Sequence, residues 1–169
     1  EEIKANGFDE NTLNQDSKSP TENPVLPLKG ITVIDLTQGV TGPFLGLLTA
    51  EAGATVIKIE PPEGDWARKL APQTSTGNSA LYESFNRNKE SITIDFETEK
   101  GLSKLRDMVS KADVLIEDWG VGEAEKRELG YEKLSLINPE LIYLALSPFG
   151  EKGPLRNRPG SELITQAFT

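Results

Sequence analysis

The fold is decided by residues 28–63, which read LKGITVIDLTQGVTGPFLGLLTAEAGATVIKIEPPE. Ile31, Val33, Ile34 and Leu36 form a short apolar run rich in β-branched residues, which is typical of a strand buried on both faces. Pro43 suits the first turn of a helix, and Gly53 suits the position just after its end. Thr55–Ile59 predicts a second strand, which two prolines terminate. The stretch therefore predicts a right-handed βαβ unit.

The loop after the first strand is the candidate ligand-binding element. In a βαβ unit this loop lies at the carboxyl edge of a parallel sheet, where helix N–H groups favour anions such as phosphate. The loop sequence QGVTGP (38–43) has neither the G-x-G-x-x-G spacing of dinucleotide sites nor the GK[ST] of a P-loop. Spacing alone therefore leaves two readings open, a ligand site and a glycine-containing turn without a ligand.

Composition narrows the function classes. The chain has 169 residues, a net charge of −9 and a pI of about 4.7, which argue against nucleic acid and anionic membrane surfaces as partners. Cysteine and histidine are absent, which excludes disulfides, thiolate nucleophiles, zinc–cysteine sites and Ser-His-Asp triads within the chain. We expect no metal site. The N-terminus does not resemble a signal peptide, so we expect a cytoplasmic protein.

The rest of the chain continues the alternation of strands and helices. Residues 1–27 are polar and predict a flexible leader or linker, whereas 28–169 predict one α/β domain with a parallel sheet. Residues 63–80 read as a loop. Further strands are predicted at 91–96, 113–117 and 141–146, and helices at 78–85, 98–111, 123–129 and 131–137. An apolar helix that Ser161 caps has hardly begun at Thr169, so we expect the native polypeptide to continue.

Six segments taken together resemble a known family. They are LKGITVIDLTQGVTGPF, GATVIKIEPPEGD, FNRNKESITIDF, KADVLIEDWG, LGYEKLSLINPELIYLALSPFGEKGP and RPGSELITQAF. Their order and spacing resemble the class III (CaiB/BaiF) CoA-transferases, of which this chain would be the N-terminal part. The resemblance implies a Rossmann-like domain that binds coenzyme A (CoA), with acyl-CoA and carboxylic acids as substrates. It also implies an interlocked homodimer.

The resemblance further implies which residues contact CoA. They are Gln38, Gly39, Val40 and Thr41 in the first loop, Asn88 and Lys89 in a polar turn, Asp118 and Trp119 after the fourth strand, and Arg158 in a late Gly/Pro-rich loop. For Lys89 and Arg158 the alternative is a solvated surface charge, and for Trp119 it is core packing. The family usually has Arg where this chain has Glu90, and commonly Asn at Asp118. At the position of Pro61, family members often have a basic or neutral residue.

Family chemistry uses an aspartate nucleophile that forms an aspartyl-CoA thioester. By resemblance that residue lies roughly thirty residues beyond Glu162, outside this chain, so we expect the chain alone to be inactive. Glu162 matches an acidic family position and is a candidate supporting carboxylate. Its alternative is a helix N-terminal carboxylate. The related racemases carry a histidine at the position of Ser161, so the absence of histidine disfavours their reaction.

Two functions follow. The first is the CoA-binding part of a transferase that moves CoA between carboxylic acids. The second is a non-catalytic half of a tandem protein with this fold, whose other half holds the active site.

Overall fold

The structure is a computed structural model that describes residues 25–160 together with Ile164 and Ala167. Most of the leader predicted at residues 1–27 lies outside the described residues. So do Ser161 and Glu162, and with them the predicted start of the last helix.

In the described part of the chain, five strands form one parallel sheet. They are β1 (Thr32–Asp35), β2 (Thr55–Glu60), β3 (Glu90–Thr93), β4 (Val114–Glu117) and β5 (Ile142–Ala145). Their order is β3-β2-β1-β4-β5, and in the register Val33 stands opposite Val56 on one side and Val114 on the other. The predicted α/β fold with a parallel sheet flanked by helices is confirmed.

The helices follow the local sequence signals. They are α1 (Thr41–Glu51), α2 (Ala80–Asn86), α3 (Glu99–Val109), α4 (Glu123–Lys126) and α5 (Tyr131–Ile137), with a short 3₁₀ helix at Trp66–Lys69. The Thr98 hydroxyl accepts the Gly101 N–H (3.1 Å) and caps α3, as predicted. Gly53 follows the end of α1 with a φ of +102°, which a glycine adopts without strain.

The core occupies both faces of the sheet, because successive strand residues point in opposite directions. Ile34 and Leu115 pack with Leu105 of α3 and Leu134 of α5 on one face. Side chains on the other face pack against α1 and include Val33, Val56 and Ile116. This sandwich fixes the strand ends, and therefore the loops that follow them.

Several predicted boundaries differ from the structure, most by one or two residues, and three differences have a clear physical reason. The third strand ends at Thr93 rather than at residue 96, because its neighbour β2 ends at Glu60 and the following proline has no N–H for the ladder. The helix predicted over 123–129 ends at Lys126, and a positive φ of 56° at Glu128 turns the chain away. The loop predicted over 63–80 contains the 3₁₀ helix, which the Asp65 side chain caps.

Candidate functional site

A cleft opens at the carboxyl edge of the sheet, where the loops after β1 and β4 diverge. The connection reverses direction between these two strands, and open α/β sheets bind ligands at such a switch point. The cleft has a volume of about 470 Å³. Its lining comes from the loops after four strands and from α4, namely Gln38, Pro61, Pro62, Glu63, Asp95, Phe96, Glu97, Trp119, Glu123 and Arg127.

One wall of the cleft is aromatic. The ring of Trp119 lies 5.2 Å from that of Phe96, and the guanidinium of Arg127 lies 5.4 Å from the Trp119 ring. Arg127 also pairs with Glu97 (3.1 Å) and Glu123 (3.2 Å). The wall therefore offers a flat apolar surface to a ligand. The Arg127 guanidinium beside it is already neutralised by two carboxylates.

Three aspartates bind the backbone of the first loop. The N–H of Thr37 donates to Asp35 Oδ1 (3.0 Å), the N–H of Gln38 to Asp118 Oδ2 (3.0 Å), and the N–H of Gly39 to Asp65 Oδ1 (3.1 Å). These three N–H groups are bonded to carboxylates of the protein itself and are therefore not free to bind an anion.

A buried ion pair holds this loop from below. Lys58 Nζ on β2 lies 3.0 Å from Asp65 Oδ2, both side chains are fully buried, and the ammonium donates to the Thr37 carbonyl (2.5 Å). Asp65 also accepts the N–H of Ala67 (2.8 Å). Each charge therefore keeps both an ionic partner and hydrogen bonds, the condition under which a buried pair is tolerated.

Glycine at position 39 is required by this arrangement. Its φ is +80°, and a Cβ there would lie 2.2 Å from Cζ2 of Trp66. Any larger residue would move either the loop or the tryptophan.

A second buried pair lies under the start of α1. Lys89 Nζ lies 2.9 Å from Asp35 Oδ2 and donates to the Pro43 carbonyl (2.7 Å) and to Asn86 Oδ1 (2.9 Å), with 1% of its side chain exposed. Burial lowers the pKa of Lys89, although the charge of Asp35 opposes this. α1 approaches the pair closely, since a Cβ on Gly46 would lie 2.7 Å from Asp35 Oδ2.

Two carboxylates at the end of β4, those of Glu117 and Asp118, form no ion pair with any described residue. Burial raises the pKa of Asp118 to about 6, despite the Gln38 N–H and the charge of Lys58. Burial also raises the pKa of Glu117, which accepts the N–H of Trp119 (2.8 Å) and the hydroxyl of Tyr143 (3.3 Å).

A third network closes the loop after β2. Arg68 binds Glu60 through two parallel hydrogen bonds of 2.7 Å and stacks over the Tyr82 ring at 3.8 Å. Burial would raise the pKa of Glu60, but its bonds to Arg68, the Asp65 N–H, Ser91 and Tyr82 outweigh burial and lower it to about 2. The network fixes the loop that carries Asp65.

Comparison with known proteins assigns the family. Residues 28–169 match the model of CoA-transferase family III. This chain belongs to CoA-transferase family III.

Similar proteins of this family include transferases and a solved structure. An acetyl-CoA:oxalate CoA-transferase of Acetobacter aceti is 43% identical, over 86% of this chain and 38% of its own length. Human succinyl-CoA:glutarate CoA-transferase is 34% identical, over 87% and 34%. The crystal structure of a CAIB/BAIF family protein from Brucella suis has a TM-score of 0.80 at 40% identity, over 84% and 39%. The chain thus spans between about a third and two fifths of the length of these relatives.

The residues that the family resemblance implied as CoA contacts differ in their burial and position. Of these residues, Gln38 and Trp119 line the cleft. Asp118 is not a lining residue, although its Oδ2 accepts the Gln38 N–H. Gly39 is buried, whereas Val40 and Thr41 are exposed where α1 begins. Asn88 and Arg158 are exposed, and Glu162 is outside the described residues.

Lys89 is buried, which rules out the surface-charge alternative given for it from the sequence. It is not a solvated surface charge, and all three of its described hydrogen bonds go to protein acceptors. A contact between Lys89 and a phosphate remains a prediction, and it would require these bonds to be exchanged. Trp119 packs on the core and also lines the cleft. Its contact with CoA stays a prediction.

Sequence reasoning missed the residues that hold the site. No role at the site was predicted for Lys58, Asp65, Glu60 or Arg68, although the sequence contains one signal. Lys58 is a charged residue inside an otherwise apolar strand, TVIKIE, and such a residue needs a buried partner.

The described residues contain no helix long and apolar enough to cross a membrane. Within the same residues, no group of three or more His, Cys, Asp or Glu side chains is arranged to hold a metal ion.

The buried pair predicts a large loss of stability on removal of one charge. Replacing Lys58 by Met leaves the Asp65 carboxylate buried without its ion partner and should reduce the free energy of unfolding by about 3–5 kcal/mol. Urea denaturation measures the change. As a control, Arg87→Met removes an exposed pair with Glu51, whose side chains are 55% and 41% exposed, and should cost less than about 1 kcal/mol. Equal small losses in the two variants would contradict the structural role of Lys58.

The Glu60 network predicts a loss of stability in acid. The pKa of Glu60 is lowered in the fold, so its contribution is present above pH 4.5 and is lost as the pH falls from 4.5 towards about 2. The contribution should be about 3 kcal/mol. Comparing the pH dependence of unfolding in the wild type and Glu60→Gln isolates this group from Asp118 and Glu117, whose raised pKa values act in the opposite direction. Parallel pH profiles for the two proteins would show that Glu60 is not coupled to folding.

Proposed function

We propose that this chain forms the CoA-binding part of an enzyme that transfers CoA between carboxylic acids. The observation that carries the proposal is the cleft at the switch point of a sheet that belongs to CoA-transferase family III. Support also comes from relatives whose names describe transfer of CoA between acids such as oxalate, succinate and glutarate. CoA is therefore proposed as the shared substrate, and carboxylic acids as donors and acceptors.

The Gln38–Thr41 loop and Trp119 are the proposed contacts. Trp119 presents an aromatic face to the cleft, where the pantetheine chain or the adenine ring can pack. The loop is held by buried aspartates, so it is rigid before the ligand arrives, which lowers the entropic cost of binding.

The proposed chemistry follows the family pattern. An aspartate carboxylate attacks the thioester carbonyl of the acyl-CoA, which forms a mixed anhydride and releases the CoA thiolate. The thiolate then attacks the aspartyl carbonyl, which frees the donor acid and leaves an aspartyl-CoA thioester. The acceptor acid reverses both steps and leaves as its own CoA thioester. In this proposal the aspartate lies outside the 169 residues, and this chain supplies binding and orientation.

A homodimer is part of the proposal, as the family resemblance implies. Apolar side chains on the outer strand β5 support it, since Ile142 is 64% exposed, as does Leu136 of α5 at 81%.

A second function, a non-catalytic half of a tandem protein, is favoured by one observation. Four carboxylates, those of Glu63, Asp95, Glu97 and Glu123, surround the cleft, and the cation among them, Arg127, is engaged by two of them. A site of this charge repels phosphate.

Binding of CoA to the full-length protein separates the two functions. Isothermal titration calorimetry should detect CoA binding, and Trp119→Ala should weaken it roughly tenfold because an aromatic contact is lost. Tyr131→Ala is the matched control, since it removes an exposed ring (54%) on α5, and it should leave the affinity unchanged.

Transfer of CoA from succinyl-CoA to a set of dicarboxylic acids is measured in parallel. Absence of both binding and transfer would contradict the transferase and favour the non-catalytic half.

A further inference from the structure

Among the described residues that line the cleft, Arg127 is the only one with a cationic side chain. Its Nη1 donates to the carbonyl and to Oε2 of Glu123, both at 3.2 Å, which ties this side of the guanidinium to α4. Its Nη2 donates to Glu97 Oε1 (3.1 Å), and its Nε–H has no acceptor among the described residues. The Nε–Nη2 edge is therefore the part of the guanidinium that remains for a ligand.

Glu97 reaches this edge from another part of the fold. It lies in the loop after β3, 30 residues before Arg127 in the chain. Its side chain is 80% exposed, against 35% for Glu123, which is four residues from Arg127 and bonded to it along α4. An ion pair with such an exposed partner contributes little stability. An anion can therefore displace Glu97 at a small cost and leave Glu123 in place.

We propose that Glu97 is a specificity-determining residue, which sets the affinity of the cleft for phosphate-bearing ligands because it occupies the edge of Arg127 that a phosphate would take. This inference rests on the proposed function, in which CoA is the ligand. A phosphate accepts two parallel N–H bonds from a guanidinium edge, as a carboxylate does. Glu97 and a phosphate of CoA compete for the same donors, and the carboxylate of the protein has to leave before the phosphate binds.

The displaced carboxylate stays near the phosphate. The backbone N–H of Glu97 donates to Asp95 Oδ1 (3.0 Å), which holds the loop after β3, and both residues line the cleft. Like charges a few ångströms apart repel each other at a partly exposed site. Glu97 therefore opposes phosphate binding twice, by holding Arg127 and by its own charge. The cleft consequently discriminates between ligands by their negative charge.

The substitution Glu97→Gln removes this charge and keeps the size of the side chain. Because the side chain is 80% exposed, the variant should fold like the wild type. The matched control is Glu99→Gln. Glu99 is 78% exposed and also pairs with an arginine, Arg106, but it lies in the first turn of α3 and does not line the cleft. The two variants change the net charge of the protein equally.

Isothermal titration calorimetry of CoA binding to the full-length wild type and the two variants, at low and at high salt, tests the proposal. At low salt we expect Glu97→Gln to bind CoA about fivefold more tightly than the wild type, and Glu99→Gln to bind it with unchanged affinity. At high salt the advantage of Glu97→Gln should fall below about twofold, because salt screens both the repulsion and the pair with Arg127.

Equal or weaker CoA binding in Glu97→Gln at low salt would overturn the role of Glu97. A gain of the same size in Glu99→Gln would also overturn it, because the effect would then come from net charge and not from the cleft. So would a gain that persists undiminished at high salt, since it would not be electrostatic. If none of the three proteins binds CoA, the proposed function itself fails.

Discussion

The buried ion pair between Lys58 and Asp65 is the constraint on which the site depends. Its side chains are fully enclosed at a separation of 3.0 Å. Desolvating two charges is costly, and the mutual attraction offsets that cost only when the geometry is good and the remaining donors and acceptors are satisfied. Here Lys58 bonds the Thr37 carbonyl and Asp65 accepts the Gly39 N–H. The pair therefore connects β2 and the loop after it to the loop after β1.

The first part of the loop after β1 is held from within the protein. The N–H groups of Thr37, Gln38 and Gly39 donate to Asp35, Asp118 and Asp65. These three bonds fix the position of the loop before a ligand is present, which lowers the entropic cost of binding. The aromatic wall formed by Trp119 and Phe96 offers an apolar surface to an uncharged part of a ligand.

The fold was predictable from the sequence because its signals are local. A β-branched run at 31–36, a glycine after α1 and the Thr98 cap each determine nearby structure. The network at the site was not predictable, because its partners are distant in the chain. Lys89 and Asp35 are 54 residues apart, so the sequence pointed to a CoA contact or a surface charge at Lys89 and not to this ion pair. Asp65 lies in the loop after β2. No hydrophobic periodicity in the sequence predicts that this loop contacts the loop after β1.

Native-state hydrogen exchange of the amides of Thr37, Gln38 and Gly39 tests this account most directly. If the three aspartates hold these amides, the amides are protected without ligand, CoA leaves their exchange unchanged, and Lys58→Met accelerates exchange at Gly39. Amides that exchange freely in the ligand-free protein and become protected only when CoA binds would contradict it, because the loop would then be a phosphate cradle filled by the ligand.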